Sequence, residues 1–279
     1  MNIIADLHIH STASDGKFSP TEIIRRIKEL GLTTCALTDH DTVDGIQEAA
    51  EAAEKYNIRL IPGIELNTDV KNGEVHILGY FIPYKDPEFI RILEKFKNSR
   101  LDRMKRMIEN INKLGLKVYI DEVLEEAKDA PLGRPHLARV LLKHGYVFSK
   151  EDAFKKYLEK GRPGYEPHDE RLTPFTAVKL IKQFKGVSVI AHPGISDFDD
   201  NIPALIDSGL DGIEVFHSKH DEQLRKHYLE MAIKNNLLIT GGSDCHGEIT
   251  LKGLNLGKSG LTSSKLSEFL IKTSGEANE

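Results

Sequence analysis

Short apolar runs rich in β-branched residues alternate along this chain with longer amphipathic stretches, and that alternation limits the folds open to it. The runs are Asn2–Asp6, Thr34–Thr38, Leu60–Leu66, Glu74–Phe81, Val187–Ala191, Gly212–Phe216 and Leu237–Gly241. Strands alternating with helices form parallel βαβ units. Seven strands fall one short of an eight-stranded barrel, so the pattern predicts an α/β fold, a distorted (β/α)7 barrel, rather than an open sheet.

Helix starts are marked as well. Ser19-Pro20-Thr21-Glu22 is a capping box with proline at the first helical position, Gly31 is a stop, and Thr173-Pro174 opens another helix in the same way. One pair of strands breaks the alternation: Leu60–Leu66 and Glu74–Phe81 are joined through Lys71-Asn72-Gly73, and Asn-Gly is a hairpin signal. Between Pro83 and Tyr165 the period is helical throughout, with helices predicted over Glu88–Gly115, Asp121–Asp129, Pro135–His144 and Lys150–Gly161. The reading is a barrel domain over residues 1–83 and 166–279 with a helical insertion over 84–165. Ser274–Glu279 is read as disordered.

A chain of 279 residues with 39% hydrophobic and 29% charged residues is long enough for one large domain plus an insertion. Its net charge of −5 argues against broad non-specific binding to nucleic acid. Cys35 and Cys245 make no disulfide framework, and neither a leader pattern nor an apolar run of about 20 residues is present, so a cytoplasmic, non-membrane protein is expected.

The chemistry-bearing residues fall at strand ends. Asp6-Leu7-His8-Ile9-His10 follows the first run, and residues two apart on a strand face the same side, so His8 and His10 can reach one ion. Thr38-Asp39-His40-Asp41 follows the second run, and Pro62-Gly63-Ile64-Glu65 lies in the third. His76 lies in the fourth, Ala191-His192-Pro193-Gly194 closes a later one, and Ser243-Asp244-Cys245-His246-Gly247 closes the last. Asp15, in the loop after the first strand, can reach the same rim. Any one such residue is ordinarily a loop hydrogen-bonder. Six positions converging on the active rim of a barrel are not, because burying so many imidazoles and carboxylates without a cation is costly.

These motifs resemble the polymerase-and-histidinol-phosphatase (PHP) family, in order and over nearly the whole chain. The resemblance implies a trinuclear site for manganese, zinc or iron. His8, His10, Glu65 and Asp244 would hold the first ion. Glu65 would bridge to a second, shared with His76 and His192, and Asp15, His40 and His246 would hold the third. Asp39 would orient a ligand from behind. With an Asn72-Gly73 turn, His76 pairs opposite Asp69, about 13 Å along the strand from Glu65, so a shared ion requires a bulged or twisted hairpin.

In the insertion, Gly133-Arg134-Pro135-His136 places Arg134 just before a helix start, where a guanidinium could grip phosphate or simply cap a loop. The stretch is similar to PHP phosphatases acting on nucleoside 3′,5′-bisphosphates and short nucleic-acid ends, which implies Arg134 and His136 as substrate contacts. His220 is a further substrate-side candidate, and His217 a weaker one, read as solvent-facing. Asn67 stands where a small hydroxyl residue is expected, Cys245 is read as packing, and His144, His168 and His227 as surface or capping residues.

The activity implied is metal-dependent hydrolysis of a phosphomonoester, the 3′-phosphate of a small nucleotide. Asp244 and His192 are the catalytic candidates, and His192 or a metal-bound water would protonate the leaving alkoxide. The alternatives are exonucleolytic trimming of short RNA or DNA ends, and a non-catalytic metal-stabilised module. Nine intact ligands argue against the module. A monomer or small homo-oligomer is expected.

Overall fold

Hydrogen-bonded strands wrap into a nearly closed, barrel-shaped sheet. The computed structural model describes residues 2–70, 73–127, 132–167, 172–196, 198–250 and 253–276. The first half runs β1 (Ile3–Asp6), α1 (Pro20–Glu29), β2 (Thr34–Leu37), α2 (Ile46–Tyr56), β3 (Arg59–Val70) and β4 (Gly73–Tyr80). Next come the helices α3 (Pro87–Lys113), α4 (Ile120–Ala127), α5 (Arg134–Lys143), α6 (Lys150–Ala153) and α7 (Pro174–Gln183). The chain continues with β5 (Val187–Ile190), α8 (Ile202–Asp207), β6 (Gly212–His217), α9 (Glu222–Lys234) and β7 (Leu238–Gly242). It ends with β8 (Ile249–Thr250), β9 (Gly253–Leu254), β10 (Leu261–Thr262) and α10 (Ser263–Glu276).

The sheet order is β10-β1-β2-β3-β4-β5-β6-β7. β1, β2 and β3 are parallel, as are β5, β6 and β7; β4 runs antiparallel to both its neighbours, and β10 antiparallel to β1. The seam closes just beyond β1 and β7. Leu7 N–H donates to Gly241 O at 3.2 Å, Asp244 N–H to His8 O at 2.9 Å, and His10 N–H to Cys245 O at 3.1 Å. Gly242 permits this approach: a Cβ there would lie 2.3 Å from His8 Cβ and 2.4 Å from His8 N. An apolar core including Ala5, Leu7, Ile61, Tyr80 and Val189 joins the strands to Leu261 of β10 and Phe269 of α10.

The helix starts follow their sequence signals. Ser19 Oγ accepts Glu22 N–H at 3.2 Å, and Thr173 Oγ1 accepts Thr176 N–H at 3.2 Å, each satisfying a donor that the first turn leaves unpaired.

Three expectations are corrected. The hairpin pairs Val70 with Gly73 and Asn67 with His76 in an unbroken register, so a turn through Asn72-Gly73 and a bulged hairpin are both excluded; Lys71 and Asn72 themselves lie outside the described residues. β10 and α10 have no counterpart in the sequence reading, being a two-residue strand and a helix after the last recognised motif. Ser274 to Glu276, read as disordered, continue α10, while residues 277–279 lie outside the described residues.

By internal contacts the chain divides into two compact units, Met1–Ile90 with Leu172–Glu279, and Arg91–Arg171. The second is helical, with a core that includes Met107, Ile111, Val123, Leu137, Leu141 and Leu158. No described helix is long and apolar enough to cross a membrane.

Candidate metal centre

Six of the seven strands β1 to β7 deliver a candidate metal ligand to one place. His8 and His10 sit on the extension of β1, where Ile9 bridges to Cys245. His40 follows β2 and bridges in parallel to Glu65 of β3. His76 faces Asn67 across the hairpin, two residues from Glu65 and so on the same face. Its Nδ1 lies 2.9 Å from Glu65 Oε1. His192 follows β5, and Asp244 and His246 follow β7.

Glu65, fully buried, is the hub. Its Oε2 lies 3.2 Å from His8 Nε2, 3.1 Å from His10 Nε2 and 3.3 Å from His40 Nδ1. Its Oε1 lies 3.0 Å from His192 Nε2 as well as against His76. Asp244 Oδ1 lies 3.6 Å from His8 Nε2, 3.3 Å from His10 Nε2 and 3.6 Å from His246 Nδ1. Asp15 Oδ1 lies 3.3 Å from His246 Nε2 and Oδ2 3.9 Å from His40 Nε2. Three groups have donor atoms within 4.8 Å of one another: His8, His10, Glu65 and Asp244; His10, Asp15, His40 and His246; and His40, Glu65 and His76. The first matches the expected set, and the second contains the expected Asp15, His40 and His246. In the third, His40 stands where His192 was expected, although His192 touches Glu65 Oε1, the oxygen that His76 also touches.

The donor set fits cations. His8 Nε2, both nitrogens of His10, Glu65 Oε2 and His192 Nδ1 are buried without a hydrogen bond among the described residues, a costly state for protein groups alone. The rings of His10 and His246 stack at 4.1 Å, and those of His10 and His40 at 4.5 Å. Burial opposes charge on His8, but Glu214 and Glu65 outweigh it and lift its pKa well above the usual range. Against the same desolvation, Asp244 and Glu65 lift His10 to about 9, and Glu65 lifts His76 to about 10. Burial dominates at His40, lowered to about 3, and at His192, also lowered, which suits a neutral ligand ring better than a proton donor. Glu65 is held well below its ordinary value: burial pushes it up, and the surrounding imidazoles more than reverse that.

The loop carrying Asp15 is held from behind. Asp39, buried, accepts Ser11 N–H at 2.7 Å, Ser11 Oγ–H at 2.7 Å and Ser14 Oγ–H at 2.6 Å. It therefore braces that loop; no hydrogen bond joins it to an imidazole of the cluster among the described contacts. Gly16 lets the loop fold back, since a Cβ there would lie 2.3 Å from His10 O. Asn67 lies with Nδ2 3.1 Å from His40 Nδ1 and donates to Asp41 Oδ2 at 2.8 Å, a contact a small hydroxyl side chain is too short to reproduce in full.

Of two further residues of the site, Glu214 was not read from the sequence at all and His217 only as a weaker substrate-side candidate. Glu214, fully buried in β6, accepts from His8 Nδ1 at 3.0 Å and from His192 N–H at 2.8 Å. A glutamate inside the apolar run Gly-Ile-Glu-Val-Phe was the available signal, because a buried carboxylate needs partners. His217, expected to face solvent, is fully buried, with Nε2 3.3 Å from Asp244 Oδ2. Lys219 also reaches Asp244 Oδ2, at 3.7 Å, from an exposed position. His192 and Asp244 have left-handed backbones, φ +28° and +53°, a conformation that costs a non-glycine residue about 1 kcal/mol or more and often marks functional sites.

His220 is buried with both ring nitrogens engaged: Nε2 accepts Gly194 N–H at 3.2 Å and Nδ1 donates to Val215 O at 3.0 Å. In the helical unit, Arg134 opens α5, its guanidinium 5.6 Å from the Phe154 ring centre and 6.0 Å from that of Tyr165, donating to Leu158 O at 3.3 Å. His136 Nδ1 accepts Gly133 N–H at 3.0 Å. Cys245 is buried and unbridged. His144 caps α5 and pairs with Glu122 at 2.7 Å, and exposed His227 pairs with Asp199 at 3.2 Å. His168 lies outside the described residues.

Barrel, rim and donor cluster define a metal-dependent hydrolase. The chain belongs to the PHP domain family, whose model matches residues 6–255, and is a metal-dependent phosphoesterase of that family. It is 33% identical over 247 residues to the 3′,5′-nucleoside bisphosphate phosphatase of Chromobacterium violaceum, covering 86% of each chain. It is 31% identical over 251 residues to the 5′-3′ exoribonuclease Rnm of Escherichia coli, covering 88% of this chain and 85% of the relative. A solved structure from Bifidobacterium adolescentis, assigned as a metal-dependent phosphoesterase, superposes with a TM-score of 0.72 at 30% identity over 96% of both chains.

Proposed function

We propose that this phosphoesterase removes the 3′-phosphate from a nucleoside 3′,5′-bisphosphate. The observation that carries the reading is the set of buried, converging donor atoms without hydrogen bonds around Glu65. The likeness to a bisphosphate phosphatase supports the choice of substrate. In this reading His8, His10, Glu65 and Asp244 hold one ion, Glu65, His76 and His192 a second, and Asp15, His40 and His246 a third, with manganese, zinc or iron as the metal. When bound, such ions make hydroxide available from water near neutral pH and neutralise phosphate charge. Glu65 keeps its imidazoles in place, and Asp244 presents Oδ1 to the site. Arg134 supplies a forked, permanently charged donor for a phosphate, its plane held by the Phe154 and Tyr165 rings, with His136 beside it in sequence on the first turn of α5. His220 contributes by fixing the Gly194 and Val215 backbone on the substrate side.

A second reading, trimming of short RNA from one end, is supported by the exoribonuclease likeness, and the same attack on phosphorus would serve both reactions. The deciding assay is phosphate release by manganese-loaded protein from adenosine 3′,5′-bisphosphate and from adenosine 5′-monophosphate, with a short RNA and an Asp244→Ala variant alongside. Release from the bisphosphate alone, lost in the variant, is the expected result. A product ladder from RNA without release from the bisphosphate would replace the first reading with the second.

A further inference from the structure

Of the strands β1 to β7, only β6 contributes none of the nine proposed ligands. Yet it sends two fully buried polar side chains, Glu214 and His217, to the centre. They are three residues apart, a spacing that puts side chains on opposite faces of a regular strand. The ladder to β7 shows how both turn inward: Glu214 pairs with Thr240 and Phe216 with Gly241, so one residue is extra and the strand bulges.

We infer that bulged β6 is the bracing strand of the metal centre, and that Glu214 and His217 are positioning residues setting the orientation of His8, His192 and Asp244. Glu214 Oε1 accepts from His8 Nδ1, which leaves the His8 Nε2 lone pair facing Glu65. Its Oε2 accepts His192 N–H and so holds a backbone at φ +28°. His217 Nδ1 accepts Lys219 N–H at 3.3 Å, which puts its proton on Nε2, directed at Asp244 Oδ2. Asp244, at φ +53°, is thereby oriented with Oδ1 toward His8, His10 and His246. The two proposed ligands with left-handed backbones are thus both tied to this strand.

The inference rests on the metal reading of the site, and its test needs no substrate. Glu214→Gln keeps the shape but can accept only one of the two bonds. His217→Leu removes the donor, and His217→Gln restores an N–H at similar reach. Manganese affinity by calorimetric titration should fall roughly 10- to 100-fold in Glu214→Gln and His217→Leu and recover largely in His217→Gln. The thermal midpoints of the two chelator-treated His217 variants should stay close to the parent's, and Glu214→Gln, which also loses a charge beside His8, should keep the parent's circular dichroism spectrum. Parental affinity in all three variants would overturn the bracing role, as would losses that follow the metal-free midpoints and are not relieved by glutamine at 217. A parent protein that binds no manganese would overturn the metal reading itself, and this inference with it.

Discussion

Glu65 touches five imidazoles while fully buried, so in the metal-free protein its charge governs how many of them carry protons. His10 and His76, with folded-state pKa values of about 9 and about 10, are protonated there near neutral pH. Because these values are raised, the stability they contribute is fully present below the ordinary histidine value of about 6.5 and is lost as pH rises toward 9 to 10. Metal ligation demands the deprotonated rings, so binding releases protons and tightens over the same range. Chelator-treated protein should therefore lose thermal stability from about pH 6.5 to 9 while the stabilisation conferred by manganese grows; a manganese increment constant with pH would contradict this. At this scale the convergence of His8, His10, Asp15, His40, Glu65, His76, His192, Asp244 and His246 was legible, because most of them fall at or near the ends of the strands read from the sequence, Asp15 in the loop after the first, and a barrel gathers strand ends. Glu214 was not, and His217 was read only as a weaker substrate-side residue, because a spacing of three makes sense on one face only once the strand is known to bulge.

Between elements, the positions that matter most are those where two backbones nearly touch. The seam between the β1 and β7 extensions depends on Gly242, whose hydrogen occupies the space beside His8 that a methyl group would claim. Gly242→Ala should destabilise the protein by on the order of 3 kcal/mol, the upper range for overpacking, and should also displace His8. Denaturant midpoints read the first effect and metal content the second; a variant with parental values for both would show that the seam can relax. Hairpin register is the other lesson at this scale. The Asn-Gly signal correctly indicated a hairpin but misplaced it, and the observed pairing of Asn67 with His76 brings that ring to Glu65 without distortion. A pairing moved along by two residues keeps the face but changes the reach, and propensity alone does not distinguish such registers. The closing strand β10 was invisible because two residues carry no periodicity.

In the molecule as a whole, the barrel unit holds the proposed metal ligands and the helical unit, Arg91–Arg171, holds Arg134 and His136. A double Arg134→Ala, His136→Ala change should raise KM for a nucleoside bisphosphate about 10-fold or more, the loss of a charge-assisted contact worth roughly 1.5 to 3 kcal/mol, while metal content stays parental. Steady-state kinetics with parallel metal analysis checks this, and unchanged KM would remove both residues from substrate binding.

The seam has a further consequence, one of timing. The sheet places β1 between β2 and β10, and its extension bonds to the segment after β7, so β1 finds these partners only roughly 235 to 260 residues further along the chain. The helical unit, built from contacts between neighbours in sequence, can form well before that, whereas the barrel must wait with an open edge. The candidate ligand groups span His8 to His246 and are whole only when that edge is sealed. In the proposed reading, cation uptake follows the sealing of that edge, and an ion bound there would latch the barrel shut.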